Sequence, residues 1–174
     1  GGEEGDLTRR DDWRLLWATG PGNVMEIQAE LEALGEPAWV QALGYIDEMP
    51  LALNAATLAI SRAGAMTTSE LLAWGVPSVL IPLPTAAADH QSRNAESLAL
   101  AGAAVAIQES DLDPRSLWNT VTSLLDGEDG LKSMGAKALE RGRPHATREI
   151  AESLARLLPP PPAGSLVSRE GGLS

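Results

Sequence analysis

The chain has 174 residues, 44% of them hydrophobic, which suits one compact domain with its own core. Its formal net charge of −11 argues against nucleic acid as a partner, because phosphate binding needs a basic surface, and against a strongly electrostatic hold on anionic lipid by this chain alone. With no cysteine and only two histidines, His90 and His145, it offers no disulfide, no thiolate metal site and no multi-histidine metal site, and with no Phe and one Tyr its core must be Leu, Val, Ile and Ala.

In chain order, residues 1–12 are rich in Gly and charge and read as a flexible start without a signal-peptide core. "WRLLWA", Trp13 to Ala18, predicts a strand, and "TGPGN", Thr19 to Asn23, a turn that stops it. Val24, Ile27, Leu31 and Leu34 have helical spacing, with Gly35 as the C′ residue. Trp39 to Ile46 is a second strand, Met49 to Ala55 a short helix, and Thr57 to Ser61 a third strand. A helix over Thr67 to Trp74 is followed by a fourth strand, Ser78 to Pro82. A helix over Gln91 to Ala101, stopped by Gly102, leads to a fifth strand, Ala104 to Gln108. Asp113 as N-cap and Pro114 at the first helical position open a run of helices, with further helices at Leu131 to Glu140 and Ala146 to Leu158. Residues 159–174, starting in four prolines, have the composition of a disordered tail.

Short continuous apolar strands alternating with helices predict an α/β fold: a doubly wound parallel sheet of about five strands with a helical C-terminus. Ligands of such sheets sit at the carboxyl ends of the strands where the order reverses, so the loops after strands are the candidate sites.

Two of these loops carry suggestive chemistry. In "RAGAMTTSE" the N–H groups of Ala65, Met66 and Thr67 would be free at a helix start, and with the helix dipole they suit a phosphate or diphosphate. The competing reading is an ordinary turn closed by a capping box between Thr67 and Glu70. "ADHQSRNA" brings Asp89, His90, Gln91, Arg93 and Asn94 together; its amides both donate and accept, as sugar hydroxyls require, whereas the competing reading makes Asp89 an N-cap ahead of a solvated first turn. "TGPGN" lacks the third glycine of a dinucleotide fingerprint, and there is no nucleophile elbow, Walker A or His-Glu-x-x-His motif. The acidic pairs Asp47–Glu48 and Asp111–Asp113 read as caps, and the five tryptophans as core or rim.

Read together, "WATG", "YIDEMP", "LAISRAGAMTTSELLAWGVPSVLIPLP" and "DHQSRNAESLALAGAAVAI" resemble the C-terminal, donor-binding half of the MurG-type transferases of glycosyltransferase family 28. The resemblance covers roughly Trp13 to Leu158. It implies a Rossmann-like half of a GT-B enzyme that binds UDP-N-acetylglucosamine (UDP-GlcNAc). The parent reaction transfers that sugar to undecaprenyl-linked lipid I with inversion, forming lipid II in peptidoglycan synthesis at the inner face of the bacterial plasma membrane. By the family pattern Ile46 meets the uracil through its backbone, Ala65, Met66 and Thr67 the diphosphate, and Glu70 the ribose. Gln91 holds the sugar with Asn94 in support, and Arg62 and Gly64 match the family's loop. No cofactor, no metal and no catalytic acid or base are implied in this chain; the base would belong to an N-terminal acceptor half, on the same parent chain or a separate subunit.

The departures from the family pattern are that half, and the first strand of the donor half with its Gly-Gly-Ser loop. In the order 3-2-1-4-5-6 that strand is central, so its loss predicts a gapped sheet or altered pairing. The alternatives are a related family 28 transferase with another donor or lipid acceptor, and a non-catalytic nucleotide-sugar-binding module.

Overall fold

The structure is a computed structural model describing residues 13–84, 89–143 and 145–157. The expected flexible start and disordered tail lie outside these residues. The chain divides into two units, Gly1–Gly142 and Arg143–Ser174.

The first unit alternates as the sequence predicts. β1 (Leu15–Ala18), α1 (Val24–Ala33), β2 (Val40–Leu43), α2 (Met49–Ala55) and β3 (Ala59–Ser61) come first. They are followed by α3 (Ala65–Trp74), β4 (Ser78–Leu80), α4 (Asp89–Leu100), β5 (Val105–Ala106), α5 (Pro114–Asp126) and α6 (Glu128–Arg141). Every strand pair is parallel, and every strand-to-strand connection carries a helix, as parallel pairing requires. This is the doubly wound α/β class. The strands do not form one sheet: β1 pairs with β2, and β3, β4 and β5 form a separate sheet with β4 in the middle.

The helix stops follow from glycine. Gly35 and Gly102 adopt the left-handed conformation at φ +86° and +68°. After α1 the N–H of Gly35 donates to Glu32 O and that of Glu36 to Leu31 O, satisfying carbonyls that the helix end would otherwise orphan. β2 is shorter than its apolar run because Gly44 comes against the β1–α1 turn, where an added Cβ would lie 3.3 Å from Pro21 Cα. α6 starts three residues earlier than its apolar pattern, at Glu128, since Gly127 both ends α5 and opens α6.

The core lies around the three-stranded sheet. Ala63, Leu71, Val76, Leu80, Ala95, Leu98, Ala103, Ala104 and Ala138 form one buried cluster, aliphatic as the composition demands. By contrast α1 buries no residue fully and β2 only Ala42. Trp13, just before β1, touches Trp118 of α5, with ring centroids 5.7 Å apart. Trp17 and Trp74 are rim residues, both more than two-fifths exposed.

α6 lies tightly on α3. An added Cβ at Gly135 would come 2.8 Å from the carbonyl oxygen of Gly75, and one at Gly142 2.6 Å from that of Leu72. These neighbours are backbone and cannot swing aside.

The second unit contains α7 (Ala146–Leu157), an amphipathic helix with Ile150, Leu154 and Leu157 on one face and an Arg148–Glu152 ion pair one turn apart. Among the described residues no helix is long and apolar enough to cross a membrane.

Two substitutions in α6 separate propensity from packing. Gly130 has nothing within 4 Å of an added Cβ, so Gly130→Ala gains about 0.5–1 kcal/mol of helix stability. At Gly135 the same gain is outweighed by overpacking of about 1–3 kcal/mol, so Gly135→Ala lowers stability in urea melts.

A second test concerns the cap of α5. Asp113 accepts from the N–H groups of Arg115 and Ser116, and its own N–H donates to Ser116 Oγ, completing a capping box. Hydrogen bonds from Ser116, backbone first and then side chain, hold the carboxyl below the ordinary aspartate value. A depressed pKa contributes stability above the unfolded-state value and loses it as pH falls through the folded-state value. Asp113→Ala therefore melts below the wild-type chain at neutral pH, and thermal melts show that difference narrowing as the pH falls below the ordinary aspartate range and the carboxyl takes up its proton.

Candidate functional site

The candidate site gathers at the carboxyl ends of β3 and β4, where α3 and α4 begin. Ala63, fully buried, anchors the chain as it leaves β3. Gly64 follows as the N-cap of α3 in extended conformation, φ −65° and ψ 146°, and no side chain caps the helix. The expected capping box between Thr67 and Glu70 is absent: α3 starts two residues earlier, so Thr67 is its third residue rather than its cap. Thr68 takes over the local hydrogen bonding, its hydroxyl donating to Gly64 O at 2.9 Å and Ala65 O at 3.1 Å. These bonds go to carbonyls. They leave the N–H groups of Ala65, Met66 and Thr67 outside the helical ladder, whose first bond is Thr68 N–H to Gly64 O.

Those three residues are exposed, so the donors face solvent at the positive end of the helix dipole. Gly64 is not required by its backbone angles, which any residue adopts. An added Cβ there would meet nothing within 4 Å, so what the glycine preserves is free space beside the donors. Glu70 lies on α3 one turn beyond Met66 and Thr67, on the same face and exposed.

α4 is tied by its two amides to the segments that leave β3 and β4. Asn94 Nδ2 donates to Ala63 O at 3.3 Å, and Gln91 Oε1 accepts from the N–H of Leu83 at 3.2 Å. Asn94 therefore fixes α4 against the β3–α3 loop, and Gln91 is held through its oxygen with its NH₂ group left to donate. His90 is exposed. The Asp89 cap expected from the sequence involves a side chain outside the described residues.

Arg62, at the end of β3, reaches across the sheet. Its Nη1 donates to Ile81 O, just past β4, and pairs with Glu109, just past β5. The ends of three strands are thus linked by one side chain. Glu109 is the site neighbour that sequence reasoning missed; its position directly after an apolar strand was the available signal. Ile46 lies elsewhere, half-buried in the turn between β2 and α2, on the separate two-stranded sheet.

The structure thus brings Arg62, Gly64, Ala65, Met66, Thr67, Glu70, Gln91 and Asn94 to one end of the three-stranded sheet. A shallow hollow lined by Arg93, Glu96, Ser97, Leu100, Ala101 and Arg141 runs along α4 and the end of α6; it shares no residue with these loops.

Three comparisons bear on this arrangement. The profile of the glycosyltransferase family 28 C-terminal domain matches residues 2–153. The UDP-N-acetylglucosamine--N-acetylmuramyl-(pentapeptide) pyrophosphoryl-undecaprenol N-acetylglucosamine transferase of Listeria welshimeri is 41% identical over 143 residues, which is 82% of this chain and 39% of the relative. The enzyme of the same name from Carboxydothermus hydrogenoformans is 39% identical over 155 residues, 89% of this chain and 41% of the relative. The crystal structure of Acinetobacter baumannii MurG superposes with a TM-score of 0.70 at 35% identity, covering 82% of this chain and 43% of that one. The chain spans about two-fifths of the length of these relatives. A parallel, helix-covered sheet whose loops carry these motifs, matched over most of its length by that profile, places the chain in the glycosyltransferase family 28 C-terminal domain family.

Proposed function

We propose that the chain is the donor half of an inverting N-acetylglucosaminyltransferase. It holds UDP-GlcNAc and presents the sugar to an undecaprenyl-linked muramyl acceptor bound by a companion half, at the inner face of the bacterial membrane. The observation that carries this reading is the uncapped start of α3: three adjacent exposed N–H groups beside open space at Gly64.

The roles follow from chemistry and position. The N–H groups of Ala65, Met66 and Thr67 donate to the oxygens of the diphosphate. As the bond from the sugar to the diphosphate breaks, negative charge builds on the departing oxygen, and fixed donors at a helix start stabilise it without reorganising. Glu70, one turn further along, accepts from the ribose hydroxyls. The free NH₂ of Gln91 donates to hydroxyls of the sugar ring. Asn94 and Arg62 act as positioning residues, Asn94 Nδ2 donating to Ala63 O and Arg62 Nη1 to Ile81 O and Glu109. Ile46 meets the uracil from the other sheet. The base that removes the acceptor proton belongs to the companion half, which corresponds to the part of the relatives that this chain does not match.

Calorimetry with UDP-GlcNAc tests the two main roles. Glu70→Ala weakens binding by about 10–100-fold, the worth of hydrogen bonds to a charged group. Equal affinities would remove Glu70 from the site.

Ala65→Pro is the sharper probe of the anion site. Proline suits the first helical position, and Gly64 already has the extended conformation that a following proline demands. The variant keeps the fold and melting temperature but deletes one of the three donors, so affinity for UDP falls by about tenfold. Unchanged affinity would take the diphosphate away from the helix start. Competition with other UDP-sugars identifies the donor.

A further inference from the structure

We propose that Glu109 is a positioning residue for the sugar end of the donor site: through Arg62 it fixes the segment Ile81–Leu83, which in turn holds Gln91. This rests on the donor reading above and adds to it a residue and a division of labour between the two ends of the ligand.

Arg62 completes a ladder that the backbone leaves unfinished. β3 and β4 pair from Ala59 and Ser78 to Ser61 and Leu80, and the last backbone bond between them runs from Ile81 N–H to Ser61 O. The next bond of a parallel ladder would run from Ala63 N–H to Ile81 O. The chain turns into α3 there instead, and among the described residues Ile81 O receives Nη1 of Arg62, at 3.4 Å. Ile81 is buried, so loss of that donor leaves its carbonyl an orphaned acceptor. Pro82, next in the chain, is fully buried and has no N–H of its own to offer. Leu83 N–H then donates to Gln91 Oε1 at 3.2 Å. Ile81–Leu83 is therefore tied at one end by Arg62 and at the other by the residue that carries the sugar role.

The Arg62 tie is weak by itself. A separation of 3.4 Å is at the long limit for a hydrogen bond, and the arginine is a long, flexible side chain, 46% exposed. Glu109 is what keeps Nη1 over Ile81 O, because the same nitrogen donates to its Oε2. Glu109 is itself well placed. Ile107 N–H, two residues earlier, donates to Leu80 O of β4, and Glu109 opens the 3₁₀ turn Glu109–Asp111, in which Asp111 N–H returns to Gln108 O and Leu112 N–H to Glu109 O. The carboxylate thus stands on a short, bonded turn and aims the guanidinium from there.

The diphosphate end is built differently. Its donors are backbone N–H groups of α3, placed by the buried Ala63 and by Asn94 on Ala63 O. Among the described residues the Glu109 side chain bonds to Arg62 and to none of these groups. Removing it therefore loosens the sugar end and spares the diphosphate end.

Calorimetry of the full chain with UDP and with UDP-GlcNAc separates the two ends. Glu109→Ala weakens UDP-GlcNAc binding by up to about tenfold, the range spanned by one ordinary hydrogen bond, and leaves UDP affinity within about twofold of the wild type. Melting stays close to the wild type, because partly exposed ion pairs contribute little to stability. Glu109→Gln keeps an acceptor at the same reach and recovers most of the loss. In an Arg62→Ala background Glu109→Ala has no further effect, since both act through one bond. Without ligand, amide hydrogen exchange of Leu83 in Glu109→Ala is faster by about threefold or more.

Unchanged UDP-GlcNAc affinity in Glu109→Ala overturns the proposal and leaves a surface ion pair only. An equal loss for both ligands also overturns it, by making the pair a support of the whole fold. Tighter binding of both ligands overturns it as well, because a freed Arg62 then grips the diphosphate itself. If the wild-type chain binds neither ligand, the donor reading falls and Leu83 exchange decides alone: faster exchange in Glu109→Ala upholds Glu109 as the support of Ile81–Leu83, and unchanged exchange removes it.

Discussion

The placement of α3 is the constraint on which the site depends. Its C-terminal end is fixed by close approach to α6: an added Cβ at Gly135 would meet the carbonyl oxygen of Gly75 and one at Gly142 that of Leu72, while one at Gly75 would meet the Leu139 side chain. Its N-terminal end is fixed by Ala63, buried completely, and by the amide of Asn94 on Ala63 O. A helix held at both ends has one permitted position along its axis, and with it the direction of its first N–H groups. Bulk hydrophobic burial alone would leave that position free to slide; close contact at glycine removes the freedom.

Those N–H groups place the positive end of a helix dipole in a chain of net charge −11. The nearest cation to the strand ends, Arg62, is already paired with Glu109, both partly exposed. Such a pair contributes about 0.2–1 kcal/mol to stability, so its main effect is geometric: it joins the ends of three strands and withdraws a competing positive charge from the loop. The start of α3, whose first N–H groups lie outside the helical ladder, sits at the same end of the sheet with the positive end of the helix dipole, the feature on which the proposed diphosphate site rests.

Much of the fold was legible in the sequence because it is written locally. The helical spacing of Val24 to Leu34, the glycine stops at Gly35 and Gly102, and the Asp113–Pro114 helix opening each depend on residues within a few positions of one another. The start of α3 was misplaced because two local signals compete there: Thr67 and Glu70 have the spacing of a capping box, yet Gly64 takes the cap and Thr68 bonds back to it. Family resemblance pointed to the candidate loops and named Asn94 and Arg62 among the site residues; what it did not indicate is the bonding of each within the protein, Asn94 Nδ2 to Ala63 O and Arg62 Nη1 to Ile81 O and Glu109. The Arg62–Glu109 pair joins residues 47 positions apart, beyond the reach of any local pattern. The missing pairing between β1 and β3 is likewise a property of how strands are ordered in space, which periodicity along the chain does not encode.

The uneven burial of the first unit has a kinetic meaning. β1, α1 and β2 together bury one residue, Ala42, whereas the three-stranded sheet and its helices hold the whole buried cluster. Free energies of local opening follow buried apolar contact, so the β1–α1–β2 segment is the unit that opens first, well before global unfolding. Ile46 rides on that segment's last turn, and Ala65 to Thr67 stand on the part that opens last. A ligand touching both would be gripped by a rigid hand and a loose one, and its residence time would be governed by the loose one.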